Sequence, residues 1–386
     1  MHALLTHEIG SLAKPPWRVK TAAGTPLSDG DVEHAERWGR RLDVAGFEEL
    51  LEALRAFSGA PEEVDEVGRW SSLYAVRFLE SAGLDLVYDG EQLRSEMYAW
   101  AVAHSNGFQE RGIVRSFDNK YYAKSAVVEA PSLRAPYHND EFAFLRGVAN
   151  AQLKVPVTGP YTLAVWSYDD HYAPGPSPLG APPQRRERLA AHRRFVLDLA
   201  RDVIRPNLEA LIALGAGWLQ IDEPGASTEP DELDIFVEGF NASVEGLEGA
   251  VFSTHLCFSD YRLFFPAIEG MSACRQYCVG FANYDTRELG RSDDVRPGYE
   301  IIKRFRDLSY QPALGLGVLD IHTDWIEPAE LVRDRILYAV DVFGGPERIH
   351  VTPDCGLRTR SWEVAYEKLL RMREGVELAK AELGLS

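Results

Sequence analysis

The residues best suited to chemistry in this chain are His255, Cys257 and Cys355. The first two lie in "STHLC" (253–257). Successive strand side chains alternate faces, so His255 and Cys257 point the same way, about 7 Å apart along a strand. A modest bend at the tip lets an imidazole nitrogen and a sulfur reach one ion. Cys355 ends "RIHVTPDC" (348–355), a β-branched run that delivers a second thiol to a strand tip. Zinc takes these donors in a tetrahedral shell, and a catalytic zinc keeps three protein ligands and one open position. A thiol entering that position loses its proton and remains a nucleophile. The set therefore predicts zinc-dependent transfer of an alkyl group to a thiol. The leaving group then needs a proton. A histidine can act as general acid near neutral pH, which "DIH" (320–322) offers in His322, and Asp222 or Asp320 could hold its tautomer.

Eight short apolar segments must position these groups: "ALLTHEIGS", "LDLVYDGE", "QLKVPVTGP", "GWLQIDEP", "VFSTHLC", "QYCVGFAN", "LGLGVLDIH" and "RIHVTPDC". Amphipathic stretches separate most of them. The clearest runs over 185–215, another over 327–344, and a third closes the chain from "SWEVAYEKLL" onward. This rhythm predicts an α/β chain folded as one (β/α)8 barrel domain over 1–386, with active groups at the C-terminal strand ends. No glycine-rich phosphate loop follows an early strand, which disfavours a doubly wound nucleotide-binding sheet. Two or three helices are expected as an insertion over 30–84, after the first strand. A β-hairpin insertion is expected within 104–140, before the third strand, with "GIVRSF" and "SAVVEA" around "DNKYY". The predicted tips carry Ser11; Asp89 and Glu91; Asp222 and Glu223; His255 and Cys257; Asp320 and His322; and Asp354 and Cys355. Any one of these is commonly a helix cap or an inert buried thiol. Six tips aimed at one opening argue for a site.

The formal charge of −18 argues against nucleic acid or an anionic membrane as partner. No apolar run approaches the roughly 20 residues of a membrane span, and "MHALLTHEIGSLAKPP" lacks the features of a signal peptide. The four cysteines (Cys257, Cys274, Cys278 and Cys355) then suggest a metal or reactive thiols in a cytosolic protein more than a disulfide framework.

Seven motifs in order, "EIGSLAKPPW", "YDGEQLRSEMY", "VTGPYTLAVWS", "LQIDEP", "STHLC", "GLGVLDIH" and "TPDCGLRTR", resemble the catalytic domain of cobalamin-independent methionine synthase. The resemblance implies a barrel that transfers methyl from 5-methyltetrahydrofolate to homocysteine on zinc. It implies that His255, Cys257 and Cys355 hold the zinc, that Ser11 binds the homocysteine carboxylate, and that Glu91 and Asp222 receive its ammonium. His322 becomes the proton donor, and Trp166 the aromatic that packs on the pterin. The chain is similar to the short "core" members, whose methyl donor can differ from folate. It departs from the family where a fourth zinc ligand, a glutamate, is replaced by Gly280 in "VGFAN". Cys278, on the same strand face one layer deeper, is a substitute candidate, and so, further back, is Cys274. The related epoxyalkane:coenzyme M transferases share an H-x-C…C motif, but coenzyme M has a sulfonate and no amine, leaving Glu91 and Asp222 without a purpose. A non-catalytic metal- or thiol-binding barrel would not need His322. A metal-free barrel related to uroporphyrinogen decarboxylase leaves the H-x-C…C set unexplained.

Overall fold

Strands that are apolar on both faces must be covered on both faces, the condition met by parallel sheets under helices. The segments here obey it. In the computed structural model, which describes residues 3–115, 121–173 and 184–385, the strands are β1 (Leu86–Val87), β2 (Ser105–Arg115), β3 (Tyr121–Leu133), β4 (Gln152–Leu153), β5 (Val155–Thr158), β6 (Tyr168–Asp169), β7 (Trp218–Asp222), β8 (Val251–Leu256), β9 (Gln276–Val279), β10 (Ala313–Leu319) and β11 (Ile349–Pro353). Every residue of β5, β7, β9, β10 and β11 is buried.

The pairing among these elements is parallel throughout, in the order β5, β7, β8, β9, β10, β11. β1 pairs with β4 in the same sense, and β4 leads into β5 through Lys154, whose N–H donates to the Val87 carbonyl at 3.0 Å. The first segment joins both ends: Thr6 bridges to Val351 and His7 to Leu86, again parallel. All eight segments expected to be strands thus take part in parallel pairing.

The insertion after the first segment is helical, with Asp29–Arg41, Phe47–Ala56 and Pro61–Ser81. It is tied to the closing helix Trp362–Leu383 by aromatic edges: Trp38 lies 5.2 Å from Trp362, and Phe78 lies 4.9 Å from Trp362 and 5.0 Å from Tyr366. The second insertion is an antiparallel pair, β2 with β3, to which β6 adds a parallel edge. Residues 116–120, between these two strands in sequence, lie outside the described residues. The long helix expected over 185–215 is broken into Arg185–Leu199 and Arg205–Ala213 by a π segment, Ala200–Ile204. Pro206 supplies the reason: it has no N–H to donate and its ring crowds the preceding turn, so the ladder widens there.

Close approach sets the strand tips. Glu223 lies across the start of the helix Pro160–Val165, accepting from the N–H of Tyr161 (3.1 Å) and from the N–H (2.7 Å) and hydroxyl (2.6 Å) of Thr162. A Cβ at Gly159 would stand 2.7 Å from the Glu223 Cγ, so only glycine admits this cap. Gly159→Ala is expected to cost about 1–3 kcal/mol through overpacking. Urea denaturation tests it, and an unchanged midpoint would remove Gly159 from the argument.

Candidate metal and thiol site

β8 carries His255 on its last turn of pleat and Cys257 just beyond, and β11 runs into Cys355. Their ligand atoms lie within 4.8 Å of one another, the only such group of three His, Cys, Asp or Glu side chains among the described residues. The Cys355 sulfur is 3.3 Å from His255 Nε2 and 3.2 Å from the Cys257 sulfur. All the cysteines are free, and 3.2 Å far exceeds the roughly 2.05 Å of a disulfide. His255 Nδ1 donates to the Cys278 carbonyl at 3.0 Å, which leaves the Nε2 lone pair facing the two sulfurs.

The electrostatics of this trio fit a cation. The Cys355 thiol hydrogen-bonds Cys257 and holds its pKa below the ordinary value, while Cys355 is pushed well above by Cys257 and by burial. Two adjacent thiolates repel, so ionising one opposes ionising the other. A divalent ion removes that conflict and keeps both deprotonated. Burial opposes charge on the His255 ring, but Cys355 and Asp222 outweigh it and its pKa is raised.

Cys278 is not brought into the group. Its thiol turns inward, toward Gln276 Oε1 at 3.3 Å and Gln220 Oε1 at 3.6 Å, and burial pushes its pKa up to about 12. Cys274 is likewise buried, donating to the Gln276 carbonyl at 3.2 Å. Gly280 faces an occupied space: a Cβ there would lie 2.9 Å from the Asp354 Cβ and 3.1 Å from its Cγ. The Asp354 carboxylate is engaged, accepting from the N–H groups of Phe281 (2.9 Å), Ala282 (3.0 Å) and Asn283 (2.8 Å). The "DC" tip therefore divides its labour. Asp354 holds the turn after β9, and Cys355 faces the site. Gly356, next in the chain, is small because a Cβ there would strike Ser11 Oγ; this packs Ser11 against the Cys355 turn.

The remaining candidates surround this centre unequally. Asp222 is the register partner of His255 and accepts from Gln220 Nε2 at 2.7 Å. Burial raises its pKa to about 7, with His255 pulling it down and Glu91 pushing it up. Glu91 takes a left-handed backbone, φ 61°, and its carboxylate stands 3.7 Å from Arg94. A non-glycine residue held there costs energy, which is typical of a site that needs its side chain aimed. His322 is exposed at the rim with its ring edge-on to Phe258 at 5.5 Å. Asp320 accepts from the His322 backbone N–H at 2.9 Å, so it shapes the turn rather than the ring's tautomer. Trp166 is half-buried, 6.4 Å from Tyr98 and 6.3 Å from Tyr122, which links the hairpin insertion to the helix after β5.

Sequence reasoning missed several supports. Glu327 and Lys368 form a fully buried ion pair at 2.7 Å, and Glu327 also accepts from the Asp320 N–H at 2.8 Å, anchoring the turn that carries His322. Lys154 and Glu8 lie in the interior beside the site. Their signal was visible as charged residues within the apolar segments "QLKVPV" and "THEIGS".

The family description "Cobalamin-independent synthase, Catalytic domain" matches residues 45–379. The chain belongs to this family. It is 36% identical to a methionine synthase of Thermoplasma acidophilum, over 96% of this chain and 97% of that one. It is 34% identical to a methionine synthase of Thermococcus kodakarensis, over 86% and 88% of the two chains. The fold is similar to that of a B12-independent methionine synthase from Shewanella sp. W3-18-1 solved with selenomethionine, at a TM-score of 0.73 and 20% identity over 99% of both chains. No helix among the described residues is long and apolar enough to cross a membrane.

The site acids have a consequence for stability. Asp89, which accepts from the Ser72 hydroxyl at 2.9 Å and the Glu91 N–H at 2.8 Å, is raised by burial to about 7. An unfolded aspartate titrates near 3.9, roughly, so between these values the native state holds the extra proton. Its stabilising share is complete below the unfolded value and is lost as pH rises through about 7. Asp89→Asn is expected to flatten the fall in unfolding free energy over that interval, measured by urea denaturation at several pH values. An unaltered slope refutes it.

Proposed function

We propose that the protein is a zinc-dependent methyltransferase that moves a methyl group onto the thiol of homocysteine, making methionine. The parallel pairing that returns from β11 to the first segment supports reading the whole chain as one (β/α)8 barrel domain with the site at the C-terminal strand ends. The observation that carries the functional reading is the convergence of His255, Cys257 and Cys355, with Nε2 and two sulfurs facing one point. A zinc ion held by these three would supply Lewis acidity and stabilise an incoming thiol as its thiolate.

The chain's own residues do the rest. Ser11, packed against the Cys355 turn, offers its hydroxyl to the substrate carboxylate. Glu91 and Asp222 receive the ammonium, and their burial strengthens each charged contact. His322 sits at the rim, where it can hand a proton to the departing methyl donor. Trp166, with Tyr98 and Tyr122, gives that donor, 5-methyltetrahydrofolate or another methyl carrier, an aromatic wall. A thiol bearing a sulfonate, as in the coenzyme M enzymes, fits less well. Lys14 and Arg358 do stand within electrostatic reach of each other, but Glu91 and Asp89 bear on the same lysine.

Cys355→Ser is expected to reduce bound zinc from about one ion per chain to a small fraction. Elemental analysis after dialysis measures this, and full retention of metal would exclude Cys355 as a ligand. His322→Asn is expected to leave homocysteine affinity unchanged while lowering kcat by about 10²–10⁴; an unchanged kcat removes the residue from the mechanism.

A further inference from the structure

Glu8 is 4% exposed, yet neither of its carboxylate oxygens has a hydrogen-bond partner among the described residues. Buried carboxylates are ordinarily paired, because an unsatisfied one carries its full desolvation cost. The nearest cation cannot serve it. Lys154 has three N–H donors and spends them on the Glu8 carbonyl, the Ile9 carbonyl (3.2 Å) and Gln220 Oε1 (2.6 Å). Arg94 is turned to the Pro156 carbonyl at 3.0 Å and to Glu141 at 2.8 Å, and its Nε makes no hydrogen bond to Glu8. The segment carrying Glu8 lies against the site acids: a Cβ at Gly10 would stand 3.3 Å from Glu91 Oε1, and the Gln220 amide joins the Ile9 carbonyl to Asp222.

We infer that Glu8 is a specificity-determining residue, the third acceptor for the ammonium group of an amino-acid thiol. This rests on the reading of the site as one for homocysteine. An ammonium carries three N–H donors, and all must be satisfied when it is taken from water. Asp222 accepts from Gln220 and Glu91 faces Arg94, so neither carboxylate is wholly given to the substrate. Glu8 has both oxygens free. It stands one residue before the Ile9 carbonyl that Lys154 and Gln220 hold, in the same segment as Ser11.

The test compares L-homocysteine with 4-mercaptobutanoate, the same thiol acid without its amine, by calorimetry on the zinc-loaded protein. Wild type is expected to favour homocysteine. Glu8→Gln is expected to narrow that preference by about tenfold to a hundredfold, the worth of a charge-assisted hydrogen bond. Its affinity for 4-mercaptobutanoate and its zinc content should stay as in wild type. A variant that keeps the full preference overturns the role of Glu8 and leaves the homocysteine reading intact. A wild-type protein with no preference between the two thiols overturns that reading, and Glu8 falls with it. Should Glu8→Gln not fold, a crystal structure of the wild type with L-methionine decides: an amino nitrogen about 3 Å from the Glu8 carboxylate supports the assignment, and one beyond about 4 Å refutes it.

Discussion

Two half-buried sulfurs 3.2 Å apart, beside a buried imidazole, form the contact around which this structure is arranged. The cysteines are separated by 98 residues, so only the tertiary fold can hold them together. Each alone would be an unremarkable thiol. Together they form a pair whose two charges would conflict, the kind of place where a divalent ion would be stabilised. The histidine is locked by a backbone carbonyl of the adjacent strand, β9, so the donor set is oriented before any ligand arrives.

The surrounding scaffold relies on missing side chains as much as on present ones. Gly356 lets Ser11 press against the Cys355 turn, Gly159 admits the Glu223 cap, and Gly280 and Gly317 make room for Asp354. Asp354 in turn fastens three consecutive N–H groups after β9. A carboxylate at position 280 would compete with Asp354 for the same volume. The absence of the glutamate that the resemblance implies at this position is thus matched by a local packing arrangement, and the strand end is stitched to β11 instead.

What was legible in the sequence follows from what is local. The alternation that puts His255 and Cys257 on one side is a property of any strand, and the apolar runs marked the strands without knowledge of their neighbours. The companionship of Cys355 was legible as a matter of residue type at a strand tip. The fate of Cys278 was not, because whether its sulfur turns toward the opening or toward Gln276 and Gln220 depends on side chains from other strands. The Glu327–Lys368 pair, 41 residues apart, and the unpartnered carboxylate of Glu8 were hidden for the same reason. The π segment before Pro206 shows a different limit, since periodicity alone reads a widened turn as continuous helix.

The bridge from Thr6 to Val351 has a consequence for synthesis. Synthesis reaches Thr6 first and cannot close this seam until the chain as far as Val351 has been made. Contacts of such high sequence separation form slowly, and their partners wait exposed meanwhile. Cys355 arrives late as well, long after Cys257. The three candidate donors therefore come together only after Cys355 has been made, whatever has folded before it.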